Sequence, residues 1–228
     1  MPSRRGSFGA GARTAAPVLL GVIPFGLVAG AATVRVGLSG LEAVGLSVIV
    51  FAGASQLAAI ELFGQDAHAA VILATALVIN LRMTMYSASL APHFRGLSTR
   101  LRAGLAYLLT DQAYALSITR FRTDENVDRI WYYLGAAAPI WVVWQICTVI
   151  GVVVGARVPE SLPLGFAVPL TFLALLVPTI TDSPSALAAT VGGTAATVGA
   201  DLPLNLGLIT GAVVGITVGL LVETGWKR

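Results

Sequence analysis

Eight apolar runs dominate this chain: Ala15–Val34, Leu41–Phe63, Ala67–Ala91, Leu101–Thr119, Ile130–Ala156, Leu162–Ile180, Pro184–Ala200 and Leu204–Val222. About 20 consecutive apolar residues are needed to cross a hydrocarbon core of roughly 30 Å. No water reaches the backbone there, so spanning segments satisfy their own hydrogen bonds as helices. Only 11% of the 228 residues are charged, whereas a soluble domain carries about 25% to coat its surface. The expected fold is therefore all-α: a polytopic integral membrane helical bundle of about six to eight hydrophobic segments.

The breaks between runs carry turn chemistry, as in Gly37-Leu38-Ser39-Gly40, Phe63-Gly64-Gln65-Asp66 and Thr181-Asp182-Ser183-Pro184. Residues 92–100 and 120–129 form two charged loops. The expected organisation is a cytoplasmic N-terminal segment at 1–14, one transmembrane transport domain at 15–223 and a C-terminal tail at 224–228. Pro139 and Pro169 lie inside runs, where each removes a backbone hydrogen bond and kinks its helix. The net charge of +3 comes from arginines scattered through loops. Arg4, Arg5, Arg13, Arg95, Arg100 and Arg102 read as topology signals rather than as a nucleic-acid surface. The single Cys147 leaves no intrachain disulfide and no Cys/His metal pattern, and no cofactor is expected. Arg4 and Arg5 before an apolar run resemble a signal peptide. Because apolar runs continue to the end, the first is read as a retained helix.

Counting crossings exposes a conflict. With a cytoplasmic N-terminus and full crossings, the basic loop at 92–102 falls outside after three spans, against the excess of Lys and Arg in cytoplasmic loops. A re-entrant Leu41–Phe63, matched by a second re-entrant segment at Pro184–Ala200, removes it. Gly53-Ala54-Ser55-Gln56 and Gly192-Gly193-Thr194 offer the small and polar residues that let broken helices line a midplane site. The alternative is that these small residues serve close packing of ordinary helices.

Two charges stand inside runs. Arg82 lies ten residues before Pro92, about 15 Å along a helix, and is expected to face the protein interior or a water-filled cavity. Asp111 is expected to be central in a helix over Leu101–Thr119, sharing a face with Tyr107 and Tyr114. It is either a structural partner of Arg82 or a proton-binding site whose affinity depends on that partner. Asn80, Thr84 and Ser87 share a helix face with Arg82's run, and Ser55 and Gln56 lie in the first break. Asp182, Asp201 and Asn205 sit at run ends and read as interfacial or capping groups.

These residues fall in a familiar order. Pro24-Phe25-Gly26, then Phe51-Ala52-Gly53-Ala54-Ser55-Gln56, then Asn80-Leu81-Arg82 are followed by Asp111 and, near the end, Pro203-Leu204-Asn205-Leu206-Gly207. Over nearly its whole length the chain resembles the AzlC family, the large subunit of branched-chain amino acid export permeases. The resemblance implies a secondary transporter in the bacterial cytoplasmic membrane that exports branched-chain or related small apolar amino acids. It further implies proton coupling and a small hydrophobic AzlD-like partner subunit. Met83 stands where the family often has His or another polar residue, and Gln112 where an acid commonly follows the aspartate. A two-carboxylate proton mechanism is therefore not carried over.

On this basis the substrate carboxylate is expected at backbone N–H groups of Gly53–Gln56, including Ser55, where a half-helix start offers positive partial charge. Its ammonium is expected on Asp111, Asn80 or Gln56, and its side chain near Phe25 and Phe51. Asp111 is the candidate proton site, with Arg82 as its electrostatic partner. Two other classes remain: an intramembrane enzyme built on Ser55, and a membrane assembly subunit that transports nothing alone. The first lacks an evident base, since His68 and His93 lie at run ends.

Overall fold

The computed structural model describes residues 3–124, 126–157, 180–200 and 206–226, together with Leu173, Leu176 and Leu202. Its helices are α1 (Arg4–Arg35), α2 (Gly40–Val50), α3 (Gly53–Gly64), α4 (Ala69–Leu90), α5 (Thr99–Tyr107), α6 (Asp111–Thr123), α7 (Arg129–Gly155), α8 (Ser183–Val198) and α9 (Gly207–Trp226). A 3₁₀ turn, Ala91–Phe94, follows α4. The described residues contain no strand. Among them, four segments are long and apolar enough to cross a membrane: Arg4–Arg35, Ala69–Phe94, Arg129–Gly155 and Gly207–Thr224. The chain is an all-α membrane protein. The run Leu162–Ile180 with Pro169, and also Asp201, Asn205, Lys227 and Arg228, fall largely or wholly outside the described residues.

Two compact units form. The first comprises Met1–Gln56 and Ile79–Leu162, and the second Leu57–Val78 and Pro163–Arg228. The first is organised around α1 and α7. Burying apolar side chains yields little net driving force in lipid, so helices associate through close packing at small residues. Gly26 and Gly30 on α1 lie against Cys147, Thr148 and Val152 of α7, and Gly151 and Gly155 on α7 lie against Leu27 and Ala31 of α1. A Cβ on Gly26 would lie 2.8 Å from the Cys147 Cβ, and one on Gly155 would lie 2.7 Å from the Ala31 Cα. Pro139 lies inside an α7 that stays helical throughout. The aromatic rings of Phe94, Phe121, Tyr132 and Tyr133 interlock edge to face, tying the end of α4 and the end of α6 to the start of α7.

In the second unit, α8 and α9 pack through a ladder of small residues. The Gly192 Cβ position lies 3.2 Å from the Gly215 Cα, and that of Gly211 lies 2.6 Å from the Ala196 Cβ. Asp182 caps α8, accepting from the Ser185 N–H at 2.8 Å.

Several expectations need correction. Leu101–Thr119 is not one helix but α5 and α6, parted at residues 108–110. Thr110 causes the restart: its side chain accepts from the Ala113 N–H at 3.1 Å, the usual N-cap bond. Asp111 is thus the first residue of α6 rather than a mid-helix group, and it no longer shares a helix with Tyr107. Gly192-Gly193-Thr194 does not interrupt α8; these residues are helical, and Gly192 serves the contact with α9. The run Leu41–Phe63 does break, but at Phe51–Ala52, with Gly53–Gln56 forming the first turn of α3. Helix α1 starts at Arg4, well before Ala15.

Candidate functional site

The site lies in the first unit, where two helix breaks and the C-terminal half of α4 supply polar groups. At the first break, Phe51 takes a left-handed conformation (φ 39°, ψ 47°) that bulky residues seldom adopt. Such strain persists where surrounding contacts over-determine it, and here those contacts are numerous. The Phe51 ring is buried, 6.1 Å from the Tyr107 ring. Ser47, one turn earlier, accepts from the Trp144 indole at 2.9 Å and donates to the Gln145 side-chain oxygen at 3.0 Å. Gly53 admits two rings against the backbone, since a Cβ there would lie 2.7 Å from Phe25 and 2.9 Å from Trp144. Phe25 and Trp144 themselves pack edge to face at 5.3 Å. Phe25, Phe51 and Gly53 are therefore gathered at one break, as parts of its packing.

Ser55 and Asn80 meet. The Asn80 amide donates to the Ser55 hydroxyl at 2.9 Å, and that hydroxyl donates to the Ala52 carbonyl at 3.0 Å. Arg82 and Asp111 form an ion pair of 3.0 Å, with side chains 34% and 37% exposed. The acid sits well at the start of α6, where the positive end of the helix dipole favours negative charge. Tyr114 holds α6 to α4: its ring stacks on Tyr86 at 4.3 Å and its hydroxyl bonds Ser89 at 3.1 Å. Thr84 and Ser87, grouped with Asn80 by sequence, are exposed.

Gln56 is fully buried, and neither of its side-chain amide atoms has a hydrogen-bond partner. Asn80 Oδ1, Arg82 Nε and Asp111 Oδ1 are likewise buried and unpartnered. A buried polar atom left unpaired costs about 1–3 kcal/mol, and native folds keep few of them. Three acceptors (Gln56 Oε1, Asn80 Oδ1, Asp111 Oδ1) and two donors (Gln56 Nε2, Arg82 Nε) on residues of the two breaks and α4 are thus without a hydrogen bond, as are Thr75 Oγ1, Ser117 Oγ and Arg120 Nε. An ammonium offers three donors and a carboxylate only acceptors, so free acceptors and free donors are the complements that the two charged groups of a zwitterion need.

Sequence reasoning missed Ser47, Trp144 and Gln145, which brace the first break together with Tyr107, a residue it had grouped with Asp111 instead. The available signal was a polar atom inside an apolar run, which needs a partner in lipid. Among the described residues no group of three or more His, Cys, Asp or Glu is placed to hold a metal. His68 Nδ1 accepts from the Ala70 N–H, and the His93 ring packs against Phe121.

A family model described as AzlC protein matches residues 17–158. Inner membrane protein YgaZ of Escherichia coli is 27% identical over 201 residues, covering 85% of this chain and 80% of that one. An uncharacterized membrane protein of Archaeoglobus fulgidus is 29% identical over 184 residues, covering 79% and 78%. One from Helicobacter pylori is 28% identical over 140 residues, covering 61% and 60%. No solved structure matches the chain.

Proposed function

Because this chain belongs to the AzlC family, we propose that it is a secondary transporter exporting branched-chain or related small apolar amino acids. The observation that supports the reading is that five of the unpartnered buried polar atoms belong to Gln56, Asn80, Arg82 and Asp111. The fold tolerates these groups unpaired because a zwitterion completes them. The ammonium sits on the acceptors of Asp111, Asn80 and Gln56. The carboxylate takes the Arg82 donor and the first backbone N–H groups of α3 at Gly53–Ser55, which have no partner within the helix. The substrate side chain lies toward the aromatic packing of Phe25 and Phe51.

Asp111 is the proton site in this scheme. Ionised, it holds Arg82 at 3.0 Å; protonated, it keeps the hydrogen bond only weakly and frees the guanidinium. Protonation thereby changes what binds α4 to the start of α6. A small hydrophobic AzlD-like subunit completes the assembly. The location is the bacterial cytoplasmic membrane, in keeping with the Escherichia coli relative, which is named an inner membrane protein.

The test is uptake of radiolabelled leucine, isoleucine, valine and methionine into inside-out vesicles, with and without a proton gradient. The chain is assayed alone and with a small four-helix partner. Gradient-dependent accumulation that these amino acids compete for is the expected result. No accumulation in the paired sample, with folded protein verified, overturns the substrate assignment.

A further inference from the structure

We propose that an apolar cavity beside the α5–α6 break is a binding site for an anionic phospholipid, with an acyl chain in the cavity and the phosphate on Arg102. The cavity measures about 170 Å³ and belongs entirely to the first unit. Its walls are mostly apolar, with Ser87 and Arg102 the polar exceptions, and the Tyr133 hydroxyl is already taken up by the Leu105 carbonyl at 2.8 Å. Leu90, Ala91 and Phe94 line it, and these are the last residues of the span Ala69–Phe94. That position is the end of a transmembrane segment, the depth at which lipid headgroups begin.

One charged side chain lines this cavity. Arg102 is exposed, and its recorded contact is a 3.5 Å hydrogen bond to Thr99 within its own helix. Arg95 and Arg100, close by in the chain, are also exposed, and among the described residues none of the three is ion-paired. An apolar slot whose one charged lining side chain is not ion-paired fits a lipid of net negative headgroup better than a zwitterionic one. A choline or ethanolamine headgroup brings its own cation, whereas phosphatidylglycerol leaves its phosphate for Arg102. Leu105 and Leu109 also line the cavity, and Leu109 lies within the break, two residues before Asp111. An acyl chain seated there props the α5–α6 break from its apolar side.

The test reads lipid binding and needs no transport assay, so it is independent of the substrate reading. The purified full chain is titrated with phosphatidylglycerol and with phosphatidylcholine of the same acyl chains, and retained lipid is counted by native mass spectrometry. Wild type is expected to hold phosphatidylglycerol at least about fivefold more tightly. Arg102→Gln should bring the two lipids close to parity, Arg102→Lys should keep most of the preference, and Ala106→Trp should weaken both by filling the slot. Soluble glycerol 3-phosphate should not compete. Equal retention of the two lipids by wild type overturns the proposal, as does a preference untouched in Arg102→Gln or a retention undiminished in Ala106→Trp. Competition by glycerol 3-phosphate as strong as that of the lipid overturns the acyl-chain part.

Discussion

The Tyr107 hydroxyl donates a 2.5 Å hydrogen bond to the Val48 carbonyl, so the last residue of α5 closes the last turn of α2. The same oxygen accepts from the Trp141 indole at 2.9 Å. Carbonyls in the final turn of a helix have no partner within it, and in lipid each must find one. The two breaks that frame the site are therefore joined through one phenol, braced by α7.

Removing that phenol tests the joint. Tyr107→Phe keeps the ring against Phe51 but strands the Val48 carbonyl and the Trp141 N–H. The expected loss is about 0.5–1.5 kcal/mol of stability, seen as a lower melting temperature in detergent. Transport should fall by more than that loss explains, because the loosened joint lies between the two halves of the site. An unchanged melting curve together with unchanged transport rejects the joint.

Gln56 separates stability from function. Replacing its buried, unpartnered amide by Leu or Met removes two unsatisfied atoms, so the protein should become more stable by about 1–3 kcal/mol. Leucine transport should weaken at the same time, chiefly through a higher KM. A Gln56→Leu protein that melts earlier and transports normally would place the amide in a structural network instead.

Arg82 and Asp111 should behave as a unit. Arg82→Gln and Asp111→Asn are each expected to lower transport at least about tenfold, a loss of about 1.4 kcal/mol or more in the effective barrier. The double variant should be little worse than either single one, because both remove the same pair. Asp111→Asn should also abolish the dependence on the proton gradient while leaving amino-acid exchange measurable. Retained gradient dependence in Asp111→Asn assigns the proton elsewhere.

The small-residue seams give a control that needs no substrate. At Gly151 a Cβ would run into the Leu27 backbone, so Gly151→Val should cost about 1–3 kcal/mol or prevent folding. At Gly193 no described atom lies within 4 Å of a Cβ, and the residue is mid-helix in α8. Gly193→Ala should therefore stabilise by up to about 1 kcal/mol, the helix-propensity gain. Thermal denaturation in micelles distinguishes the two, and equal effects would contradict the packing described.

Membership of the membrane class was legible in the chain because hydrophobic length is a property of consecutive residues. The same holds for the family, whose motifs are local. Pairing of Arg82 with Asp111 was also anticipated, since two opposite charges in apolar runs have few other partners. The Thr110-Asp111 restart was not read, because the apolar residues on both sides concealed its local sign, an N-cap followed by an acid.

What the sequence by itself determined, then, is the solvent, the helical class and the small set of polar residues that lipid cannot accept. Tertiary structure alone decided where helices break and which polar atoms remain unpaired. Both depend on distant neighbours: Phe25 and Trp144 pressing on Gly53, Tyr107 reaching Val48, and Asn80 reaching Ser55 across 25 positions. Glycines look alike in a sequence, yet Gly53 starts a helix at a break while Gly192 lies within one and seats a partner. The difference is the side chain or backbone standing where a Cβ would be, and no run of consecutive residues records it.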